Sequence, residues 1–368
     1  MVFSVPPMST KSFFRFFPTP KFLQLPAVGF DISDQAVRFL ELESHKDSFR
    51  VGRFGEKVIP NEALLGDDLT KNKTFGELLF SIRREQNLGF INASLPEEKA
   101  YLFKTEIPRV RRDEIRSSLE FRLEEFVPVP SAEAVFDYDI IKKETHDDKH
   151  LDVSVSVVPV KVVSSYIELF QNAGLTPLSF EIEGQAIARA VVKKGDKRTI
   201  MVVNFSDTRT GLFIVSEGVV NFSSTIGLGG RSLTIAIKKS YNVSFADAEK
   251  IKKEKGFKAK KEDKDLFFAA VNTLSVLRDE INRLLSYWRT HKDNPKENEE
   301  KVDLIVFSGF DSSLEGFLEY FSLNLPVPVE LANVWVNVCA FGDYIPPISF
   351  AESLKYGAAV GLAMTRPS

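Results

Sequence analysis

The chain is poor in the residues from which most metal and redox sites are built. Its 368 residues include one cysteine, Cys339, and four histidines, at positions 45, 146, 150 and 291. A single thiol cannot close an intramolecular disulfide or a cysteine-rich zinc site, and this usage fits a reducing compartment. The histidines lack the short spacings that bring two imidazoles onto one metal. No apolar run approaches the ~18 residues that a membrane-spanning helix needs. An excess of one charge is missing too. The 48 lysines and arginines face 51 acids, for a formal net charge of -3, so nothing draws the chain to nucleic acid in bulk and no nucleic-acid partner is expected. With 43% apolar and 27% charged residues, the composition is that of a globular chain long enough for two domains, each with its own core.

What is present, first, is a repeat. Val28-Gly29-Phe30-Asp31-Ile32-Ser33-Asp34 and Val202-Val203-Asn204-Phe205-Ser206-Asp207-Thr208 each run apolar into Asp or Asn, then an apolar residue, then Ser-Asp. β-rich sequence resumes at Val37 to Leu42 and at Leu212 to Val220, so each segment reads as strand, turn, strand. A duplicated hairpin implies two related lobes facing a cleft, with each turn presenting backbone N–H groups and one acid to a shared ligand. Glycine is scarce in these turns: Ser33 and Ser206 stand where phosphate-holding loops carry it.

Around the repeats, Phe49 to Ile59 reads as a strand and Phe75 to Gln86 as an amphipathic helix. Then come a strand at Tyr101 to Ile107 and a helix from Arg111 to Phe126, with Ile115, Leu119, Leu123 and Phe126 on one face and Pro128 and Pro130 as its stop. Strands at Phe136 to Ile141 and Leu151 to Val158 flank a charged loop, Lys142 to His150, and a helix from Val162 to Asn172 ends at Gly174. This strand-helix-strand-strand-helix module predicts a small subdomain inserted before the second repeat.

The second half predicts three strands, about 199 to 204, 210 to 216 and 219 to 226, leading to Gly227-Leu228-Gly229-Gly230 and a helix over Arg231 to Tyr241. Lys250 to Lys264 is lysine-rich but interrupted by Glu254, Glu262 and Asp263, which predicts a solvated helix and loop. From Leu266 to Thr290, Ala270, Leu274, Leu277, Ile281, Leu284 and Trp288 recur at spacings of four and three, the stripe of a helix packed on a sheet. Val302 to Phe307 reads as a buried strand, Leu314 to Phe321 as a helix, and Glu352 to Met364 as a last helix whose Gly357, Ala358, Ala359 and Gly361 let another backbone or a ligand come close. Near the start, Lys11 to Pro18 interleaves cations with phenylalanines, which suits either cover for an apolar patch on the first lobe or an anchor at a membrane surface.

Further segments complete a pattern: Leu123-Glu124-Glu125-Phe126-Val127-Pro128-Val129-Pro130, Ala173-Gly174-Leu175-Thr176-Pro177, Gly229-Gly230-Arg231-Ser232-Leu233-Thr234, Tyr241 to Lys250, and Pro328 to Asn333. In order and spacing, from Ala27 to Met364, they resemble the type IV pilus assembly protein PilM family, a relative of the cell-division protein FtsA within the actin-like superfamily. The resemblance implies an α/β, actin-like (ribonuclease H-like) duplicated two-lobe fold with an inserted SHS2-like subdomain. Its parts would be a tail at 1–26, a first lobe at 27–96 and 177–198, the insertion at 97–176, and a second lobe at 199–368. It implies a cytoplasmic protein, peripheral at the inner face of the membrane, whose insertion binds the short cytoplasmic tail of a single-pass membrane partner, PilN. Arg109 to Pro130 offers basic and apolar faces suited to a tail peptide, and assembly into a homo-oligomer stays open.

The resemblance also implies a site for ATP and Mg2+. Asp31, Ser33 and Asp34 fall in the first phosphate loop, with Asp31 as the candidate metal ligand; Asn204, Ser206, Asp207 and Thr208 fall in the second. Gly229 and Gly230 precede the helix that closes on the base, and Gly309 and Phe310 belong to the adenosine loop, Ser308 to Ser312. Several residues depart from the family pattern. Serine in place of glycine costs on the order of 1 kcal/mol wherever positive φ is required. Asn204 removes a charge that would hold Mg2+, and Asp34 and Asp207 add carboxylates that repel a triphosphate. Phe310 can stack on a base or fill its pocket. The expectation is a protein-binding platform component with a degenerate nucleotide site, enzyme activity being left open. The alternative is an active ATP-binding protein of the FtsA type, although such proteins end in a basic amphipathic helix and this chain ends in Met364-Thr365-Arg366-Pro367-Ser368. A sugar or acetate kinase would need the phosphate glycines that are replaced here.

Overall fold

The strands β1 (Val28–Ser33) and β9 (Ile200–Phe205) are buried along their whole length. A strand covered on both faces belongs inside a sheet, and each is the middle strand of five. In the computed structural model, which describes residues 27–33, 35–45, 48–64, 69–141, 149–257, 264–290, 301–340 and 342–365, the first sheet has the order β3 (Ser48–Val58), β2 (Ala36–His45), β1, β4 (Phe90–Leu95), β8 (Thr176–Ile182). The second has β11 (Val219–Ile226), β10 (Thr210–Ser216), β9, β12 (Leu304–Ser308), β13 (Val329–Leu331). In both, the first three strands form an antiparallel meander and the last two add in parallel. The repeat legible in two hairpins is thus a repeat of whole sheets. The Phe-rich tail at 1–26, Asp34 and the loop 142–148 lie outside the described residues.

The helices follow from their apolar spacing and caps. α1 (Lys73–Gln86) starts where the Asn72 side chain accepts from the Phe75 N–H and ends at Asn87 in the left-handed region; it buries Phe75, Leu79 and Ile82 against the first sheet. In the second lobe, α5 (Gly230–Tyr241), α6 (Phe245–Lys255) and α7 (Lys264–Thr290) lead back to β12. α7 lays Ala270, Leu274, Leu277, Ile281 and Leu284 in one core with Phe205 and Phe307 of the sheet and with Phe317 and Phe321 of α8 (Phe317–Asn324), so its stripe is a helix-on-sheet contact. Two helices, α4 (Glu183–Val191) and α9 (Gly357–Ala363), lie between the sheets and join the lobes through a core that includes Ile187, Val202, Phe213, Val306, Trp335 and Ala359. The small residues of α9 serve close approach to protein: a Cβ on Gly361 would lie 1.8 Å from the Ala186 carbonyl oxygen.

Between β4 and β8 the chain leaves the first sheet to form a second, smaller unit. β5 (Tyr101–Pro108), β7 (His150–Pro159) and β6 (Ala134–Ile141) make an antiparallel sheet with β7 in the centre. α2 (Arg112–Glu120) covers it, Ile115 and Leu119 meeting Val153, Val155 and Val157. The helix expected to run to Phe126 instead breaks at Phe121, which is 88% exposed; a short turn, Leu123–Phe126, keeps Leu123 in the core and stacks Phe126 on Phe103 at 4.4 Å. α3 (Val160–Asn172), expected as the last element of the inserted module, buries Tyr166, Leu169 and Phe170 with Phe30 and Leu79 in the first lobe's core.

Candidate functional site: the hairpin cleft and a groove beside the insertion

Asp31 sits in the fully buried β1 and is 1% exposed. The Ser33 hydroxyl donates to its Oδ2 at 2.5 Å, while Oδ1 is buried with no hydrogen-bond partner among the described residues. Burial pushes the Asp31 carboxyl above the ordinary carboxylate range, opposed by hydrogen bonds from Ser33 and Ser94 and by the charges of Arg38 and Arg209. Arg38, opposite Asp31 in the ladder, pairs with Glu56 at 2.8 Å. Neither Ser33 nor Ser206 takes positive φ; the described non-glycine residues that do are Asn87, Glu217 and Asn242. The conformational cost of replacing glycine therefore does not arise in either turn.

The second hairpin is closed on itself and on its neighbours. Asn204 Nδ2 donates to Ser206 Oγ at 3.1 Å and to Glu183 Oε1 at 3.4 Å. The Ser206 N–H goes to the carbonyls of Asn204 and Arg209, both at 3.1 Å. The carbonyls of Ser206 and Asp207 in turn accept from Gly230 N and Arg231 N, at 2.9 and 2.7 Å, so the first N–H groups of α5 are spent on the hairpin. Gly229 is needed there because a Cβ would stand 2.5 Å from both carbonyl oxygens. Asp207 lies 4.0 Å from the Arg231 guanidinium, and that same group reaches across the cleft to Gln35 Oε1 at 2.7 Å. Thr208 is half-buried in the turn. Beside it stands Arg209, absent from the sequence expectation, bound to Glu98 and, at 2.7 Å, to Glu183.

The third wall is the loop Ser308 to Ser312. Gly309 has φ 91, and a Cβ there would meet the Phe205 carbonyl oxygen at 2.1 Å. Ser308 Oγ, in the strand beside Asn204, is buried without a partner among the described residues. Phe310 lies beneath two ammonium groups, Lys355 at 4.6 Å and Lys253 at 5.6 Å from its ring centre. The lysine-rich stretch expected to be solvated contributes a buried cation here. Lys252 Nζ lies 2.7 Å from Asp311 Oδ2, 3.0 Å from Glu249 Oε2 and 3.3 Å from the Gly230 carbonyl, and a Cβ on Gly230 would lie 1.6 Å from Asp311 Oδ2.

The structure thus gathers Asp31, Ser33, Asn204, Ser206, Asp207, Gly229, Gly230, Gly309 and Phe310 around one seam between the lobes. The described residues hold no cluster of three or more His, Cys, Asp or Glu side chains able to bind a metal alone. A magnesium ion that arrives on phosphates keeps waters and needs only one or two carboxylates. Asp31, with its open Oδ1, fits that single contact.

A groove of about 1760 Å3 lies between the insertion and the lobes. Residues 135 to 139 of β6 all line it, together with Ile182, Gln185 and Arg189 from the β8–α4 segment and Val219 and Val220 of β11. Consecutive strand residues reach one space only along a strand's edge, and β6 is an edge strand. Of the stretch Arg109 to Pro130, Arg116 lines the groove.

Two sheets of one topology closing on paired hairpins define an actin-like protein. The family described as type IV pilus assembly protein PilM matches residues 29–367, and this chain belongs to that family. A solved structure described as a PilM-PilN type IV pilus biogenesis complex superposes with TM-score 0.73 at 19% identity, covering 93% of this chain and 98% of the other. Ethanolamine utilization protein EutJ from Carboxydothermus hydrogenoformans gives TM-score 0.53 at 14% identity, with 94% and 91% covered. MreB5 of Spiroplasma citri bound to ADP gives 0.52 at 11%, with 91% and 94% covered.

Proposed function

We propose that this protein is a cytoplasmic component of a type IV pilus assembly platform, peripheral at the inner membrane, and that it seats the short tail of a PilN-like single-pass membrane protein in the groove between β6 and α4. The carrying observation is the open edge of β6 along that groove. An unpaired strand edge offers backbone donors and acceptors to an extended peptide, while Val135, Ile182 and Val220 supply apolar contacts and Arg116, Asp137 and Arg189 polar ones. Family membership and the likeness to a PilM-PilN complex support the same partner. No described helix is long and apolar enough to cross a membrane. Titrating the full-length protein with the partner's cytoplasmic peptide, followed by hydrogen exchange, tests this. Protection of β6 is expected; absence of binding at high micromolar peptide would sink the proposal.

A second reading concerns the hairpin cleft and is favoured by two orphaned buried oxygens, Asp31 Oδ1 and Ser308 Oγ. Unpaired polar atoms at this depth cost ~1–3 kcal/mol each and are retained where a ligand satisfies them. A nucleotide would place its Mg2+ at Asp31 and its base against the Gly229-Gly230 turn and the adenosine loop. Calorimetry with ATP and Mg2+ tests it, and no heat at millimolar nucleotide would reject it.

A further inference from the structure

The Arg209 guanidinium stands between the cleft and the root of the insertion. It is bound to Glu98, in the single turn Glu97–Lys99 that leads into β5, and to Glu183, the first residue of α4. The two carboxylates differ. The Glu183 side chain is 7% exposed and also accepts from Asn204, whereas the Glu98 side chain is 42% exposed. An ion pair so exposed is held weakly. We propose that Arg209 is a phosphate-binding residue of the cleft, exchanging Glu98 for a phosphate of a bound nucleoside di- or triphosphate while it stays on Glu183, and that this exchange frees the root of the insertion. The inference rests on the second reading above, that the cleft takes a nucleotide.

Chemistry favours Arg209 over Arg38, the cation on the strands of the first hairpin. Arg38 is 14% exposed and holds Glu56 through both Nε and Nη2, and Glu56 is shared with Lys355. Arg209 gives Nη1 to Glu98 and Nη2 to Glu183, is 21% exposed, and lies close enough to Asp31 to act on its charge. A guanidinium fork matches a phosphate edge, and both hydrogen bonds to it are charge-assisted. The route from there to the groove is short. Glu97 accepts from the Gly184 N–H at 3.1 Å, tying the turn to α4. Leu95 and Ile182, which end β4 and β8 just before this cluster, both line the groove. Losing the Glu98 contact therefore releases one of the ties between the second lobe's hairpin and the point where the insertion begins.

The test compares full-length variants by calorimetry with Mg-ADP, with pyrophosphate and with adenosine. Arg209→Gln should weaken Mg-ADP and pyrophosphate at least about tenfold, and Glu98→Gln should tighten both by about threefold to tenfold, because a competing carboxylate is gone. Arg209→Lys, which keeps the charge without the fork, should fall between wild type and Arg209→Gln. Adenosine should bind all variants alike. Hydrogen exchange over residues 95 to 103 should quicken when Mg-ADP is added to wild type and stay unchanged in Arg209→Gln. If both substitutions weaken the phosphates, if neither alters them, or if wild type binds no nucleotide, the proposal is overturned. Binding of the partner's tail peptide without nucleotide, measured on the same proteins, reports separately on the pilus reading and stands or falls independently.

Discussion

The Lys252 ammonium lies 2.7 Å from Asp311 Oδ2 with its side chain 1% exposed, joining α6 to the loop Ser308 to Ser312. Glu249 and the Gly230 carbonyl take its other donors, so all three ammonium protons have acceptors. Burial pushes the Asp311 carboxyl up, and the Lys252 charge opposes that. Removing one member of a buried pair strands the other and costs ~3–5 kcal/mol. Lys252→Met should therefore lower stability by about that much in urea unfolding, and Lys252→Met with Asp311→Asn should recover most of the loss. A double variant no more stable than the single would show that the lysine matters through packing alone.

Lys252 also marks the limit of what the sequence discloses. A run of lysines and acids reads as a solvated face, and nothing local indicates that Asp311, far along the chain, meets one of them. Arg209 is silent in the sequence for the same reason: its partners Glu98 and Glu183 are distant in sequence and come together only because β4 and β8 end side by side. β4 is not legible in the sequence because Asn92 and Ser94 interrupt its apolar pattern. Both are buried, and their partners, the Leu362 and Thr365 carbonyls for Asn92 and the Ile32 N–H for Ser94, come from β1 and the region of α9. The hairpins and α7 were legible because alternation and helical spacing are properties of contiguous residues. The hairpin residues around the cleft, Asp31 to Ser33 and Asn204 to Thr208, were found by that repeat, whereas the groove, assembled from β6, β8, α4 and β11, was not.

Asp31 gives a dependence on pH. Its carboxyl is raised by burial in the folded protein, so the folded state holds the proton over a range where the unfolded chain has already lost it. Stability from this group is complete below the unfolded value and is lost as pH rises through the folded one. Asp31→Asn, which carries no charge, should be more stable than wild type at neutral pH, and the difference should shrink as pH falls into the ordinary carboxylate range. Melting curves across that range check it. A constant difference at all pH values would mean that ionisation of Asp31 is not its source.

Close packing of α9 on α4 predicts a contrast between two glycines. A Cβ on Gly361 would lie 1.8 Å from the Ala186 carbonyl oxygen, which cannot swing aside as a side chain does, so Gly361→Ala should cost ~3 kcal/mol or more. Gly76, inside α1, has nothing within 4 Å of its Cβ position. There Gly76→Ala should stabilise by ~0.5–1 kcal/mol through helix propensity. Thermal melts of both variants decide it. Equal effects would mean that the two helices have slack between them.

Val135 offers the most direct test of the groove because it can be changed without disturbing a core. It is 43% exposed, on the edge strand β6, and lines the groove. Val135→Glu adds a charge beside Asp137 where an extended peptide would lay an apolar side chain. Affinity for the partner's tail peptide should fall at least about tenfold, equivalent to ~1.4 kcal/mol. Stability should change by no more than ~0.5 kcal/mol, as for other exposed positions. Phe121→Glu, on the break that follows α2 and absent from the groove lining, is the matched control and should bind the peptide like wild type. If Phe121→Glu abolished binding while Val135→Glu did not, the peptide would dock on the aromatic and arginine-bearing face around Phe121, Arg122 and Phe126 instead of along β6.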